Sequence, residues 1–287
     1  MPARLKIALQ KKGRLADASF ELLKKIGLKF VANGHYLVLK CPDFPADIIL
    51  LRDDDIPAFV ARGSADLGMV GQNVILESGK KVREIMPLGF GVCRLAIAVP
   101  KNSKFKKIAD LKNSTIATEY PNSTEKFFRS KKIPVSIAEL SGSAEIAPEM
   151  GVADVIADIV ETGTTLEAHN LIPLEPPIFR SEAVFVADPK LSASKKKLLA
   201  DLIARIEAVQ KAVDKKYVVL NCSEKNLAKI EKLLPALESP TILPLAKRGE
   251  FALQSVATEK EFWSALPKLK SAGAKDILLL NVEKIVL

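Results

Sequence analysis

Histidine is nearly absent from this sequence of 287 residues: His35 and His169 are the two present, and neither has a His, Cys or acidic partner at ligand spacing. That sets aside imidazole-based chemistry and reads both as surface or loop residues. Cysteine is equally scarce. Cys41, Cys93 and Cys222 are scattered without a CxxC spacing, which argues against a disulfide framework and a zinc site and suits a reducing compartment. Aromatic residues make up 6%, too few to supply the stacking platforms of a single-stranded nucleic-acid binder. No apolar run approaches the ~18 residues of a membrane span. Residues 1–12 lack a secretory h-region and read as the opening strand of a cytoplasmic protein. Neither nucleic acid nor membrane is expected as a partner.

What is present is an ordinary globular composition, 48% hydrophobic and 27% charged, with a net charge of +9. Between Lys190 and Leu234, eleven Lys/Arg face five Asp/Glu, so this stretch holds six of the nine excess charges. With Tyr217 its one aromatic, the stretch is read as a solvated helix face. Phosphorylated small molecules stay open as ligands. The chain exceeds the ~250 residues at which single cores tend to split, so two or three domains are expected.

The first 180 residues contain an internal echo. Strand, loop and helix at 6–9, 10–14 and 17–26 are followed by a strand at 47–51, a loop at 52–55, a short helix closed by Gly63, and a strand at 65–71. The same order recurs at 115–118, 119–122, a helix from Ser123, 135–140, a short helix stopped by Gly151, and 153–158. The landmarks Gly63-x-Ala-Asp66-Leu67 and Gly151-x-Ala-Asp154-Val155 correspond. Alternating strands and helices predict parallel sheets. Two apolar crossings, at 91–99 and 183–187, predict two hinged α/β lobes of the periplasmic-binding-protein-like kind, with the site at the carboxyl ends of the strands. After a helix at about 194–213, the order βαββαβ predicts a ferredoxin-like (ACT-like) α+β domain. The expected division is 1–90 with 181–212 as lobe I, 91–180 as lobe II, and 213–287 as the C-terminal domain.

The stretch 154–166 carries the chemistry. A buried strand rises to Asp158, and Thr162, Gly163, Thr164 and Thr165 then open a helix. Loop N–H groups and threonine hydroxyls suit a phosphate, glycine lets the backbone approach, and an upstream carboxylate suits ribose hydroxyls. The same residues also read as an N-cap with threonines for local reasons. No Walker A or complete dinucleotide fingerprint occurs.

The stretch resembles the phosphoribosyl-pyrophosphate loop of phosphoribosyltransferases. Together with Gln10-Lys11-Lys12-Gly13-Arg14-Leu15, Arg52-Asp53-Asp54-Asp55-Ile56-Pro57, Gly63-x-Ala-Asp66-Leu67-Gly68-x-x-Gly71 and Ser239-Pro240-Thr241-Ile242, the whole chain resembles the ATP phosphoribosyltransferase family in its long form. The resemblance implies transfer of the phosphoribosyl group of phosphoribosyl pyrophosphate to N1 of ATP, the first step of histidine biosynthesis. It also implies Mg²⁺, carried mainly on substrate phosphates, a dimer-to-hexamer assembly, and feedback inhibition by histidine. On it, Asp154, Asp158, Glu145, Thr162, Gly163, Thr164 and Thr165 hold phosphoribosyl pyrophosphate. Lys11, Arg14, Asp66, Leu67 and Gly71 serve ATP, and Arg52 and Lys11 meet the departing pyrophosphate. Asn221, Leu237, Ser239, Thr241 and Ala274 form the regulatory histidine site, with Asn221 where the family also uses an acidic residue. Lys11 and Arg14 also read as solvated loop charges, and Arg52 as an ion-pair partner of Asp53 or Asp55. The competing function is a cytoplasmic two-lobed small-molecule binding or sensor protein.

Overall fold

The computed structural model describes residues 3–30 and 37–286, so His35 lies outside the described residues. The chain forms two compact units, Met1–Leu199 and Ala200–Leu287. Lobe I of the first unit contains β1 (Leu5–Gln10), α1 (Arg14–Lys25), β2 (Val38–Lys40), β3 (Ala46–Leu51), α2 (Ile56–Ala61), β4 (Leu67–Gly71), α3 (Gln72–Ser78) and β5 (Arg83–Pro87). Lobe II follows with β6 (Cys93–Pro100), β7 (Thr115–Thr118), α4 (Pro121–Ser130), β8 (Ser136–Glu139), β9 (Val155–Val160), α5 (Thr164–Ala168), β10 (Leu171–Pro173) and β11 (Phe179–Ser181). The chain then re-enters lobe I as β12 (Ala183–Ala187) and continues into α6 (Ala193–Lys211).

The internal echo is visible in the sheets, ordered β2-β3-β1-β4-β12-β5 and β10-β6-β9-β7-β8, with β11 also paired to β6. In each lobe the first strand of the repeat lies between the second and third, and all three are parallel. The expectation of parallel sheets holds for those triplets only. The strand arriving from the other lobe, β12 or β6, enters reversed and pairs antiparallel with β4 or β9. Every residue of β4 and of β12 is buried, as central strands covered on both faces require. The two crossing segments bond to each other, Leu88 N–H to the Ala183 carbonyl and Ala183 N–H to the Phe90 carbonyl, both at 2.9 Å.

Ala200–Leu287 includes β13 (Lys215–Ser223), α7 (Glu224–Leu233), β14 (Thr241–Pro244), β15 (Glu250–Thr258), α8 (Glu259–Ser271) and β16 (Lys275–Asn281). The sheet order β14-β15-β13-β16, antiparallel throughout, is the ferredoxin-like arrangement. One sheet face packs Val218, Leu220 and Leu253 against Ile230, Phe262 and Leu269 of the helices. Thr258 and Glu261 close a reciprocal capping box at the start of α8, satisfying donors that the helix leaves open. No helix among the described residues is long and apolar enough to cross a membrane.

Candidate active site

Loops that follow β1, β8 and β9 meet around a small cavity of about 130 Å³. Lobe II contributes Glu145, Asp158, Thr162, Gly163 and Thr165 to its wall, and lobe I contributes Arg14. Asp158 sits near the top of β9, where the strand leaves the core. Gly163 makes the sharp turn with φ 88°, a left-handed conformation that a side chain disfavours. Leu166 is buried beneath the loop and anchors it, leaving the threonines exposed. The Thr162 and Thr164 hydroxyls lie 3.0 Å apart, so one lone pair of this couple is directed along the loop.

The cavity wall carries more carboxylate than cation. Burial, reinforced by the Glu145 and Glu119 carboxylates, pushes Asp158 up to about 6, against a hydrogen bond from Ile159 N–H that pulls it down. Partial burial and the Glu145 and Asp53 carboxylates also hold Glu119 above the usual range. The nearby Tyr120 hydroxyl is pushed up to about 12 by burial, opposed by its bond from Asn73. Asp53, Glu119, Glu145 and Asp158 therefore share one electrostatic environment. Among the described residues they do not converge as a ligand set for a metal.

The structure separates the sequence-derived candidates. Arg14, expected on the ATP side, faces the Thr162–Gly163 turn and pairs with Glu161 across the lobes at 2.8 Å. Lys11 and Arg52 are exposed in the loops after β1 and β3, linked by the Lys11 N–H bond to the Leu51 carbonyl. No ion pair joins Arg52 to Asp53 or Asp55 among the described residues. Gly71 ends β4 at the cleft, where a Cβ would come within 2.1 Å of Asn73 Oδ1. Leu67, at the opposite end of β4, is wholly buried and belongs to the core.

Asp66 and Asp154 are not brought to the cleft. Each precedes its strand and so lies at the amino end, away from the loops. Asp66 is 5% exposed, bonded to Lys195 Nζ at 2.7 and 2.9 Å and to Lys6 N–H at 2.9 Å. Asp154 accepts Thr115 N–H at 2.8 Å. The repeated Ala-Asp landmark thus ties the third strand of each repeat to its first.

The expected effector residues are also split. Asn221, on β13, is in register with Ala252 and Lys275, and its amide donates to Asp276 at 3.1 Å. Thr241 opens the edge strand β14, which pairs with β15 alone. One strand intervenes, so the neighbouring strands do not bring Asn221 and Ala274 alongside Leu237, Ser239 and Thr241 within one chain.

Comparison with known proteins bears on this arrangement. An ATP phosphoribosyltransferase family model matches residues 52–208, and a second model, the C-terminal domain of the same family, matches residues 212–284. An ATP phosphoribosyltransferase of Cytophaga hutchinsonii is 46% identical over 286 residues, covering 100% of both chains. This chain belongs to the ATP phosphoribosyltransferase family. A second family member, from Parabacteroides distasonis, is 43% identical over 98% of this chain and 99% of its own. The solved ATP phosphoribosyl transferase (HisG:HisZ) complex from Thermotoga maritima superposes with a TM-score of 0.62 at 30% identity, covering 70% of this chain and 95% of that chain. Family membership makes the chain a pentosyltransferase of the first step of histidine biosynthesis and does not favour the competing reading as a binding or sensor protein.

Residues that sequence reasoning missed are Glu119, Tyr120, Asn73 and Glu161. Their signal was weak. Each lies in a loop or at a helix start whose partner comes from a distant part of the chain.

Proposed function

We propose that the cleft between the two lobes transfers the 5-phosphoribosyl group of phosphoribosyl pyrophosphate to N1 of ATP, releasing pyrophosphate. The observation that carries this reading is the shared cavity, with the threonine loop and Asp158 on one side and Arg14 on the other. Thr162, Gly163, Thr164 and Thr165 hold the 5-phosphate through loop N–H groups and hydroxyls, while Asp158 and Glu145 accept from ribose hydroxyls. Gly71 and the Lys11 loop border the acceptor ATP. Arg14 bridges toward the phosphoribosyl side. It exchanges Glu161 for substrate phosphate, an exposed pair of this kind being worth little on its own.

Adenine N1 carries a free lone pair at neutral pH, so its attack on ribose C1 requires no general base. The pair moves from N1 to C1 as the C1–O bond breaks, and the bond electrons leave on pyrophosphate. The chain's task is to align the two reactants and to meet the developing negative charge. Lys11 and Arg52, the cations after β1 and β3, meet it from lobe I.

Asp158, Glu145 and Glu119 do not form a metal cage of their own among the described residues, so a divalent cation would arrive on the substrate phosphates, with these carboxylates near its path. When bound, Mg²⁺ neutralises charge on the pyrophosphate. The C-terminal ferredoxin-like domain, taken as 213–287, is assigned to histidine-dependent inhibition, and the working assembly to a homo-oligomer, dimer to hexamer, in the cytoplasm.

The test is incubation of purified protein with ATP, phosphoribosyl pyrophosphate and Mg²⁺, following phosphoribosyl-ATP by its near-ultraviolet absorbance and pyrophosphate by a coupled assay. Product formation lost on chelation is the expected outcome. Binding of both substrates with no pyrophosphate released refutes the reading.

A further inference from the structure

Helix α4 begins without a cap of its own. Tyr120 stands at the N-cap position and makes no side-chain bond to the helix, and Pro121 occupies the first turn with no N–H to offer. The next two donors, the N–H groups of Asn122 and Ser123, point at the two oxygens of one carboxylate, Glu77, at 2.8 and 2.9 Å. Asn122 Nδ2 donates to the Glu77 carbonyl at 3.2 Å. Glu77 lies in the last turn of α3, on the other lobe. A helix start is normally satisfied by its own N-cap residue. Here the cap comes from a residue 45 positions away, across the cleft.

A second bond runs beside it. Asn73, in the first turn of α3, donates from Nδ2 to the Tyr120 hydroxyl at 3.0 Å. Asn73 is itself fixed by Ser181, whose hydroxyl accepts the Asn73 N–H at 2.9 Å and donates to Asn73 Oδ1 at 3.2 Å. Helix α3 starts directly after Gly71, at the carboxyl end of β4. Helix α4 starts two residues after Glu119, which shares the electrostatic environment of Glu145. The α3–α4 bridge therefore joins a lobe I loop on the acceptor side to a lobe II loop on the phosphoribosyl side.

We infer that Glu77 is a positioning residue for the transfer: by capping α4 from the opposite lobe, it sets the lobe spacing at which the two bound substrates face each other. The inference rests on the division of substrates between lobes given above. Glu77 lines none of the small cavity, so it acts through α4 and the Glu119–Tyr120 loop. Each substrate alone engages mainly one lobe and does not need the bridge. The ternary complex does, because N1 must lie within bonding reach of C1, and misplacement by ~1 Å costs about 100-fold in rate.

The experiment compares full-length wild type, Glu77→Ala and Glu77→Gln by steady-state kinetics, by calorimetric binding of each substrate alone, and by amide hydrogen exchange at Asn122 and Ser123. For Glu77→Ala the expected results are loss of protection at both amides, kcat lower by roughly 10- to 100-fold, and Kd for each substrate alone within about twofold of wild type. Glu77→Gln keeps one acceptor oxygen and should show protection at one amide, with kcat between that of Glu77→Ala and wild type and still several-fold below wild type. Wild-type kcat in Glu77→Ala with both amides unprotected overturns the inference and leaves an ordinary structural cap. Retained protection in Glu77→Ala overturns it as well. If Glu77→Ala does not fold, Glu77→Gln decides: kcat lowered several-fold with unchanged Kd supports the inference, and unchanged kcat refutes it. Wild type that makes no phosphoribosyl-ATP refutes the proposed function instead, while amide exchange still reports the cap.

Discussion

Asp158 is held in a place that suits a ligand better than it suits the free protein. Its pKa is raised to about 6 from 3.8, by burial first and by its acidic neighbours second. A raised carboxyl pKa means that the folded state holds the proton more tightly than the unfolded chain does. Its stabilising contribution is therefore full below about pH 4 and is lost as pH rises through about 6. Asp158→Asn removes that loss while keeping an oxygen for the Ile159 N–H. The substrate-free variant should be more stable than wild type at pH 8 by on the order of 2 kcal/mol, with the advantage shrinking toward pH 4. Phosphoribosyl-pyrophosphate binding should weaken in the same protein. Urea midpoints across pH 4–8 measure the first effect, and a pH-independent difference would mean that Asp158 titrates as an ordinary carboxylate. Two other acids, Asp66 and Asp154, serve the strands and not the cleft. Asp66 and Asp154 recur at matched places in the echo, which invites a functional reading. Yet each stands before its strand, and an acid there is at the wrong end for a ligand in a parallel sheet.

At the scale of elements, alternation and helical spacing made most of the architecture legible. The Thr258–Glu261 capping box of α8 needs no tertiary information, its two partners being three residues apart. Strands β2, β5, β10 and β11 were passed over because they are short and lie at sheet margins or beside a strand's end, where half-exposed residues blur the pattern. The antiparallel entry of β6 and β12 was hidden because buried strands of either direction read as the same apolar run. The Thr162–Thr165 turn was legible because its chemistry is local, whereas Glu77 and Glu161 were not, since their partners lie on the other lobe. Local chemistry also makes the turn separable. Thr162→Val with Gly163→Ala deletes a hydroxyl and forces a side chain into φ 88°. We expect kcat/KM for phosphoribosyl pyrophosphate to fall by at least about 30-fold, two such losses each being worth roughly 1–2 kcal/mol. Kd for ATP alone should move by less than about threefold, an exposed surface change being worth about 0.5 kcal/mol. Isothermal titration with each substrate separates the two, and equal losses would disprove the assignment of substrates to lobes.

For the whole molecule, the ferredoxin-like domain offers a prediction that spares the chemistry. An effector inhibits only through different affinities for two states of the enzyme. Ser239→Ala with Thr241→Val, at the entry to the edge strand β14, should raise the histidine concentration for half inhibition by about tenfold, two hydrogen bonds at roughly 0.5–1.5 kcal/mol each. Uninhibited turnover should stay at the wild-type value. Full retained sensitivity in the inhibition assay would move the effector site elsewhere. The interleaved strands have a different consequence, for the order in which the molecule is made. Lobe II is one uninterrupted segment, but the sheet of lobe I receives β12, its strand between β4 and β5, only after lobe II has been synthesised. Until residues 183–187 emerge from the ribosome, the wholly apolar strand β4 has an unpaired margin, the kind of surface that recruits other chains. A nascent chain halted at residue 182 is thus expected to be a chaperone client or an aggregate, and five further residues supply the missing partner.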